Sequence, residues 1–189
     1  MLICSRGCSS TTRNIVKDLN RLLITHKENK YDQKNNFFDL KELMDINDCE
    51  STIYFESTKR AASVWIANEK GPSIKFSVYN LFTIKDLSIV TNCQKNAGHK
   101  LIFDLNFDTD ENLKMVKTLF SKTFIESEVF DRVLAFYYYD NKIWMRVYAI
   151  ANGVEEIGPR IVMEIDKILG GFFNGELVYK KKEEEVDNL

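Results

Sequence analysis

The sequence predicts an α/β fold of mixed sheets built as two similar halves, and three observations predict it. Short strand-like runs alternate with amphipathic helical stripes along the 189 residues. LICSRGCSSTTRNIVKDLNRLL from Leu2 and LIFDLNFDTDENLKMVKTLF from Leu101 share one order of strand, polar capped turn and amphipathic helix. A paired-strand region follows each of them. The expected division is a first half over 1–98, a second over 99–179 and a charged tail over 180–189.

Leu2 to Cys4 reads as the first strand. In the polar turn that follows, Ser9, Ser10, Thr11 and Thr12 each offer a hydroxyl to the orphan amides of a helix start. Ile15, Val16, Leu19, Leu22 and Leu23 then fall on one stripe. Thr25 to Asn36 is polar and reads as a loop, and Phe37 to Met44 as a short helix or turn. Ile53–Phe55, Val64–Ala67 and Ile74–Val78 read as strands, the last two joined through Gly71 and Pro72. Ile74, Phe76 and Val78 alternate with Lys75 and Ser77, the period of a half-buried strand.

In the second half Leu101, Phe103, Leu105 and Phe107 alternate. Asp108 and Glu111 have capping-box spacing ahead of the stripe Leu113, Val116, Leu119, Phe120 and Phe124. Val133–Tyr139 and Lys142–Ile150 form a hairpin around Asp140 and Asn141. A third helix is expected from Pro159, whose missing amide hydrogen costs nothing at a first helical position. Its stripe is Ile161, Val162, Ile165, Ile168 and Leu169, and Gly170 and Gly171 stop it. Leu177–Tyr179 closes the fold as a strand.

The composition is that of a globular domain: 44% hydrophobic and 29% charged, with a net charge of -2. A pI near 5.8 lacks the basic balance of a nucleic-acid binder, so RNA binding requires the cations to gather on one face. Cys4, Cys8, Cys49 and Cys93 have no C-x-x-C spacing and lie far in sequence from His26 and His99, so no metal site is expected. The opening MLIC is strand-like rather than a signal peptide, and no apolar run approaches the roughly 20 residues that span a bilayer. An intracellular, reducing compartment with buried thiols and no membrane association is the expectation.

Few constellations point to chemistry. Asp104, Asn106, Asp108 and Asp110 resemble the start of a calcium loop, but Thr109 stands where glycine is needed and Met115 where a bidentate glutamate is needed. Capping is the better reading of these residues. No nucleophile elbow and no zinc-helix motif occurs, and both histidines sit in polar stretches that read as solvated. Neither catalysis nor a cofactor is expected. The Ser5–Arg13 turn lacks Walker spacing, and a contact from Arg6 or Arg13 to an RNA phosphate suits it better than a nucleotide pocket. Tyr137, Tyr138, Tyr139, Trp144 and Tyr148 lie on the hairpin with Lys142 and Arg146; alternation leaves at most half of those rings free to face a ligand. Arg160 opposes the dipole of the helix expected from Pro159, a misfit that fits a phosphate ligand and equally a surface arginine stacked on a neighbour.

Several of these segments together resemble the Brix domain family. They are SRGCSSTTRN, GPSIKFSVYNLFTIKDL from Gly71 to Leu87, and Asn92–Cys93. LIFDLNFD, KIWMRVYAI and EIGPRIVMEIDKILGGFFNGELVY from Glu156 to Tyr179 complete the set, the two glycine-proline segments being the most specific. The resemblance covers nearly the whole chain in order. It implies two halves, each like an anticodon-binding domain of class II aminoacyl-tRNA synthetases. It further implies a non-enzymatic ribosome biogenesis factor in the nucleolus, binding precursor ribosomal RNA during large (60S) subunit assembly beside a dedicated assembly-factor partner and other pre-60S proteins. On the family's pattern the RNA contacts fall on Arg6, Lys75 and Arg146, and on the stretch opening with Gly158, Pro159 and Arg160; Arg13 joins them from the reading of the Ser5–Arg13 turn.

Overall fold

A computed structural model of the chain describes residues 1–23, 37–57, 61–87, 98–150 and 153–182. The loop expected over Thr25–Asn36 with His26, the Asn92–Cys93 pair and the tail from Glu183 onward lie outside them. The described elements are, in chain order, β1 (Leu2–Cys4), α1 (Ser10–Leu22), α2 (Phe37–Ile46), β2 (Ser51–Ser57), β3 (Ala62–Asn68) and β4 (Ser73–Phe82). Then follow β5 (Gly98–Phe103), a 3-10 turn (Leu105–Asp108), α3 (Glu111–Thr123), β6 (Phe130–Tyr139), β7 (Lys142–Ala149), β8 (Glu155–Glu156), β9 (Arg160–Leu169) and β10 (Leu177–Lys180).

The strands form one mixed sheet in the order β1-β2-β3-β4-β9-β7-β6-β5, with β10 beside β9 and β8 beside β7. From either edge inward the pairing has the same sense. The outermost pairs, β1–β2 and β5–β6, are parallel, and all inner neighbours are antiparallel as far as the β4–β9 seam.

α1 and α3 pack on one face of this sheet. Ile15, Val16, Leu19 and Leu22 of α1 and Leu113, Val116, Leu119 and Phe120 of α3 enter the same core as Ile74, Phe76, Leu134 and Phe136. Burying each such side chain contributes roughly 2 kcal/mol. Five rings knit its centre: Phe136 stacks on Phe103 with centroids 5.1 Å apart, meets Phe120 at 4.8 Å and Phe124 at 5.7 Å, and Phe120 reaches Phe76 at 5.7 Å. On the opposite face α2 brings Leu40 against Ile3, Tyr54 and Trp65, with Phe37 and Phe173 stacked at 4.3 Å beside them. Among the described residues no helix covers that opposite face over β6, β7 and β9.

Local chemistry accounts for the element ends. Ser9 caps α1 by accepting from the amide of Thr12. Asp104 caps the 3-10 turn, and Asp110 caps α3 by accepting from Asn112 and Leu113. Asp108, expected as the cap, instead binds Lys117 at 2.7 Å. The acidic run is therefore spent on turns, but through different carboxylates. The alternation Leu101–Phe107 ends as a strand at Phe103, because Asp104 turns the chain and accepts from Tyr138 N at 2.6 Å.

The helix expected from Pro159 is strand β9, which pairs with β4 along its length and with β7 and β10 on its other side. A register shift between Lys75 and Phe76 lets both Ile165 and Ile168 face the core, so the apolar spacing mimics a helical stripe. Arg160 therefore opposes no helix dipole.

Gly71, in the β3–β4 turn, has φ 79, and a Cβ there would stand 2.3 Å from Gly170 O and 2.9 Å from Gly171 Cα. Both obstacles are backbone. Gly71→Ala is expected to destabilise the fold by at least about 2 kcal/mol, a melting temperature roughly 4–8 °C lower by calorimetry for a domain of this size.

Candidate nucleic-acid interface

Strand alternation builds the site. Ile143, Met145 and Val147 of β7 are buried in the core, so Trp144, Arg146 and Tyr148 stand on the opposite face. On β6 the core takes Leu134 and Phe136, leaving Tyr137 40% and Tyr139 74% exposed on that face. Only Tyr138 of the five hairpin rings turns inward, against the expected half, since both strands present their aromatic-rich parity outward. Register places Tyr137 opposite Trp144, Trp144 opposite Val162, and Tyr148 opposite Glu156.

Within this face Arg160 grips Glu156 with both fork nitrogens, Nε to Oε1 at 2.6 Å and Nη2 to Oε2 at 2.7 Å. Arg146 approaches the same Oε1 at 3.6 Å, and its guanidinium lies 5.3 Å from the Trp144 ring. Among the described residues two cations share one carboxylate, so the trio of Arg146, Arg160 and Glu156 carries a net positive charge within a chain of net charge -2. The Arg160 hydrogen bond holds the Glu156 carboxyl below its ordinary pKa, and Glu156 in turn raises that of Arg160. Burial works against the Arg146 cation and lowers its pKa, with Glu156 opposing. A second cluster lies further along β9, where Glu164 accepts from Tyr79 Oη at 2.5 Å and Lys181 Nζ at 2.8 Å, with Lys142 over the Tyr79 ring.

The structure brings Arg146 and Arg160 together and separates the rest of the expected set. Lys75 shares the face but pairs with Lys167 in register, seven residues from Arg160 along β9, or about 23 Å. It is matched by Asp166 at 3.6 Å. Arg6 lies in the β1–α1 turn and Arg13 in the first turn of α1, with β2, β3 and β4 between β1 and β9. Arg13 donates to the Cys8 carbonyl. Gly158 and Pro159 are buried, so they set where β9 begins rather than present atoms to a ligand. Gly158 has φ 62, and a Cβ there would meet Leu87 Cδ1 at 2.6 Å. Glu156, Tyr79, Glu164 and Lys181 are members of the face that sequence reasoning gave no role. Outward parity on β4 and β9 was the available signal for Tyr79 and Glu164.

A separate cleft of about 450 Å³ opens where α1 and α3 end, lined by residues that include Leu23, Cys49, His99, Thr123 and Phe124. His99, expected to be solvated, is 4% exposed, and its Nε2 has no hydrogen-bond partner among the described residues. The segment after α3 closes over it, with Ser127 N donating to His99 O at 3.1 Å. Burial lowers the His99 pKa, a hydrogen bond with the Phe124 backbone opposing. The unfolded chain protonates this imidazole near pH 6.5 while the fold resists it, so stability is complete above that value and falls as pH drops. Melting temperatures between pH 7.5 and 5 should decline with a component of up to roughly 1.4 kcal/mol per pH unit. His99→Leu should remove that component. Among the described residues no group of three or more His, Cys, Asp or Glu side chains is placed to hold a metal, and no helix is long and apolar enough to cross a membrane.

One mixed sheet with two helices on one face, a third over part of the other and, among the described residues, an arginine-bearing aromatic surface left open beside it is the class of domain these elements define. The sequence profile of the Brix domain matches residues 5–167, and the chain belongs to that family. It is 36% identical over 193 residues to the "Ribosome biogenesis protein BRX1 homolog" of Caenorhabditis elegans, covering 95% of this chain and 55% of that protein. With the Xenopus laevis protein of the same name it is 34% identical, over 100% of this chain and 60% of the relative. With the "Ribosome biogenesis protein BRX1" of Saccharomyces cerevisiae it is 32% identical, over 100% and 74%. The chain thus spans little more than half the length of the nematode and frog relatives. Among solved structures, the "probable ribosomal biogenesis protein from Aeropyrum pernix K1" superposes with a TM-score of 0.59 at 13% identity, over 94% of this chain and 97% of that one. That likeness concerns the fold.

Proposed function

We propose that the chain is a ribosome biogenesis factor that acts by binding rather than catalysis, holding precursor ribosomal RNA against the outer face of β6, β7 and β9. The observation that carries this reading is the pair Arg146 and Arg160 set among Tyr137, Trp144 and Tyr148 on an uncovered sheet face. Guanidinium forks match phosphate, and the rings offer stacking surface to unpaired bases. The names of the relatives, ribosome biogenesis proteins, support that role; the setting we propose for it is large-subunit assembly in the nucleolus, in pre-60S particles beside a dedicated protein partner. The repeated pairing sense on either side of the β4–β9 seam supports reading 1–98 and 99–179 as two like units of the anticodon-binding type.

Filter binding of ribosomal RNA across a salt series tests the site. The double variant Arg146→Gln/Arg160→Gln should bind at least about tenfold more weakly, with a log–log salt slope shallower by about 1.5, the contribution of two phosphate contacts. Unchanged affinity and slope would refute it. A second reading, a protein-interaction scaffold of pre-ribosomes with little RNA contact of its own, is favoured by the net charge of -2 and by exposed Ile102 and Leu105 beside the face. Salt-insensitive or absent RNA binding by the unaltered chain would favour it.

A further inference from the structure

In the free protein the Glu156 carboxylate sits between the two arginines as an RNA phosphate would. Its oxygens accept both fork nitrogens of Arg160 at 2.6 and 2.7 Å, and one of them lies 3.6 Å from Arg146 Nε. A guanidinium presents the same fork to carboxylate and to phosphate, so the two acceptors compete for one geometry. The side chain of Arg160 is 36% exposed, while those of Arg146 and Glu156 are 18% and 21% exposed. A phosphate arriving from solvent therefore reaches Arg160 first and meets Arg146 only by moving Glu156 aside. Glu156 rides on β8, a strand of two residues held to β7 by the pairs Tyr148–Glu156 and Ala149–Glu155.

We propose that Glu156 is a specificity-determining residue: an internal phosphate stand-in that preorganises Arg146 and Arg160 and yields only to an RNA whose backbone places a phosphate in the same fork. The inference rests on the RNA-binding reading of this face and adds to it. A loosely fitting polyanion exchanges one ion pair for another and gains little. A fitted RNA recovers the fork geometry and adds stacking on the neighbouring rings.

The test compares the unaltered chain with Glu156→Gln, Glu156→Ala and Arg146→Gln/Arg160→Gln. The probes are a labelled single-stranded poly(U) 20-mer, ribosomal RNA and inorganic phosphate. Removing the carboxylate should tighten poly(U) binding by about fivefold, the factor of a single partly exposed ion pair. Ribosomal RNA should gain less, so discrimination between the two RNAs narrows. Millimolar phosphate, against chloride of equal ionic strength, should raise the melting temperature of both Glu156 variants more than that of the unaltered chain. Glu156→Ala guards against glutamine serving as a substitute acceptor, and the phosphate melts report folding in the same experiment. Equal tightening of both RNAs would reduce Glu156 to a mere repelling charge and overturn the inference, as would no tightening at all. If the arginine double variant weakens RNA binding while the Glu156 variants change nothing, the stand-in role alone fails. If the arginine variant is also without effect, the RNA-binding face itself fails and the inference with it.

Discussion

Phe136→Ala is expected to lower stability by about 4 kcal/mol, the cost of emptying a large buried site that cannot collapse. Phe136 is fully buried and is the ring on which the second half's core converges, with Phe103, Phe120 and Phe124 all within 5.7 Å. Its neighbours belong to β5, α3 and the segment after α3, so no single rotamer change fills the void. Because α3 also reaches β2 and β3 and touches Phe76, the loss propagates to the first half. A domain whose total stability lies in the usual range of about 5–15 kcal/mol would be left marginal at 37 °C. Urea unfolding at 25 °C checks this, with the midpoint expected to fall and the slope to hold. A loss under about 1 kcal/mol would mean that the ring cluster is not the centre of the core.

Arg132→Ala should cost about 3 kcal/mol, for a different reason. Arg132 is a fully buried charge on the core-facing side of β6. Its Nε and Nη2 bind Asp131 at 2.5 and 3.1 Å, and its Nη1 donates to the Leu22 carbonyl at the end of α1, 3.2 Å away. That last bond satisfies an orphan carbonyl of a helix terminus and ties β6 to the helix that follows β1. Alanine removes the donor, strands the Leu22 carbonyl and leaves Asp131 without its bidentate partner. Arg132→Lys should recover only part of the loss, since an ammonium cannot serve the carboxylate and the carbonyl with one planar fork. Full recovery by lysine, measured by the same urea titration, would show that charge alone matters there.

Where one local rule dominates, the sequence is readable. Ser9 as a cap and the stripes of α1 and α3 follow from hydroxyl chemistry and 3.6-residue spacing, and the Asp140–Asn141 hairpin from strand alternation on either side of it. β9 was not readable by the same means. Ile161, Val162, Ile165, Ile168 and Leu169 fit a helical stripe, and only the β4 pairing with its register shift shows why. The β-branched character of Ile161, Val162, Ile165 and Ile168 was the opposing signal, and Pro159 suits the position before a strand as well as a helix start. His99 misled through its polar sequence neighbours, because its burial comes from the end of α3, some twenty-five residues on. Arg132 carried a usable clue: it shares inward parity with Leu134 and Phe136, so a buried charge could have been inferred from alternation. The outward set Trp144, Arg146 and Tyr148 was legible from period two alone. The convergence of Arg146 and Arg160 on Glu156 was not, since it depends on β7 pairing with both β8 and β9.

The claim that the open face of β6, β7 and β9 is what RNA touches is tested most directly by ultraviolet crosslinking in purified pre-ribosomal particles, with the crosslinked peptides sequenced. The account predicts nucleotides attached to peptides carrying Tyr137, Trp144 and Tyr148, and loss of those crosslinks in the Arg146→Gln/Arg160→Gln variant. Particles that contain the chain but yield crosslinks only on the β1–α1 turn, or none on any of these strands, would contradict it.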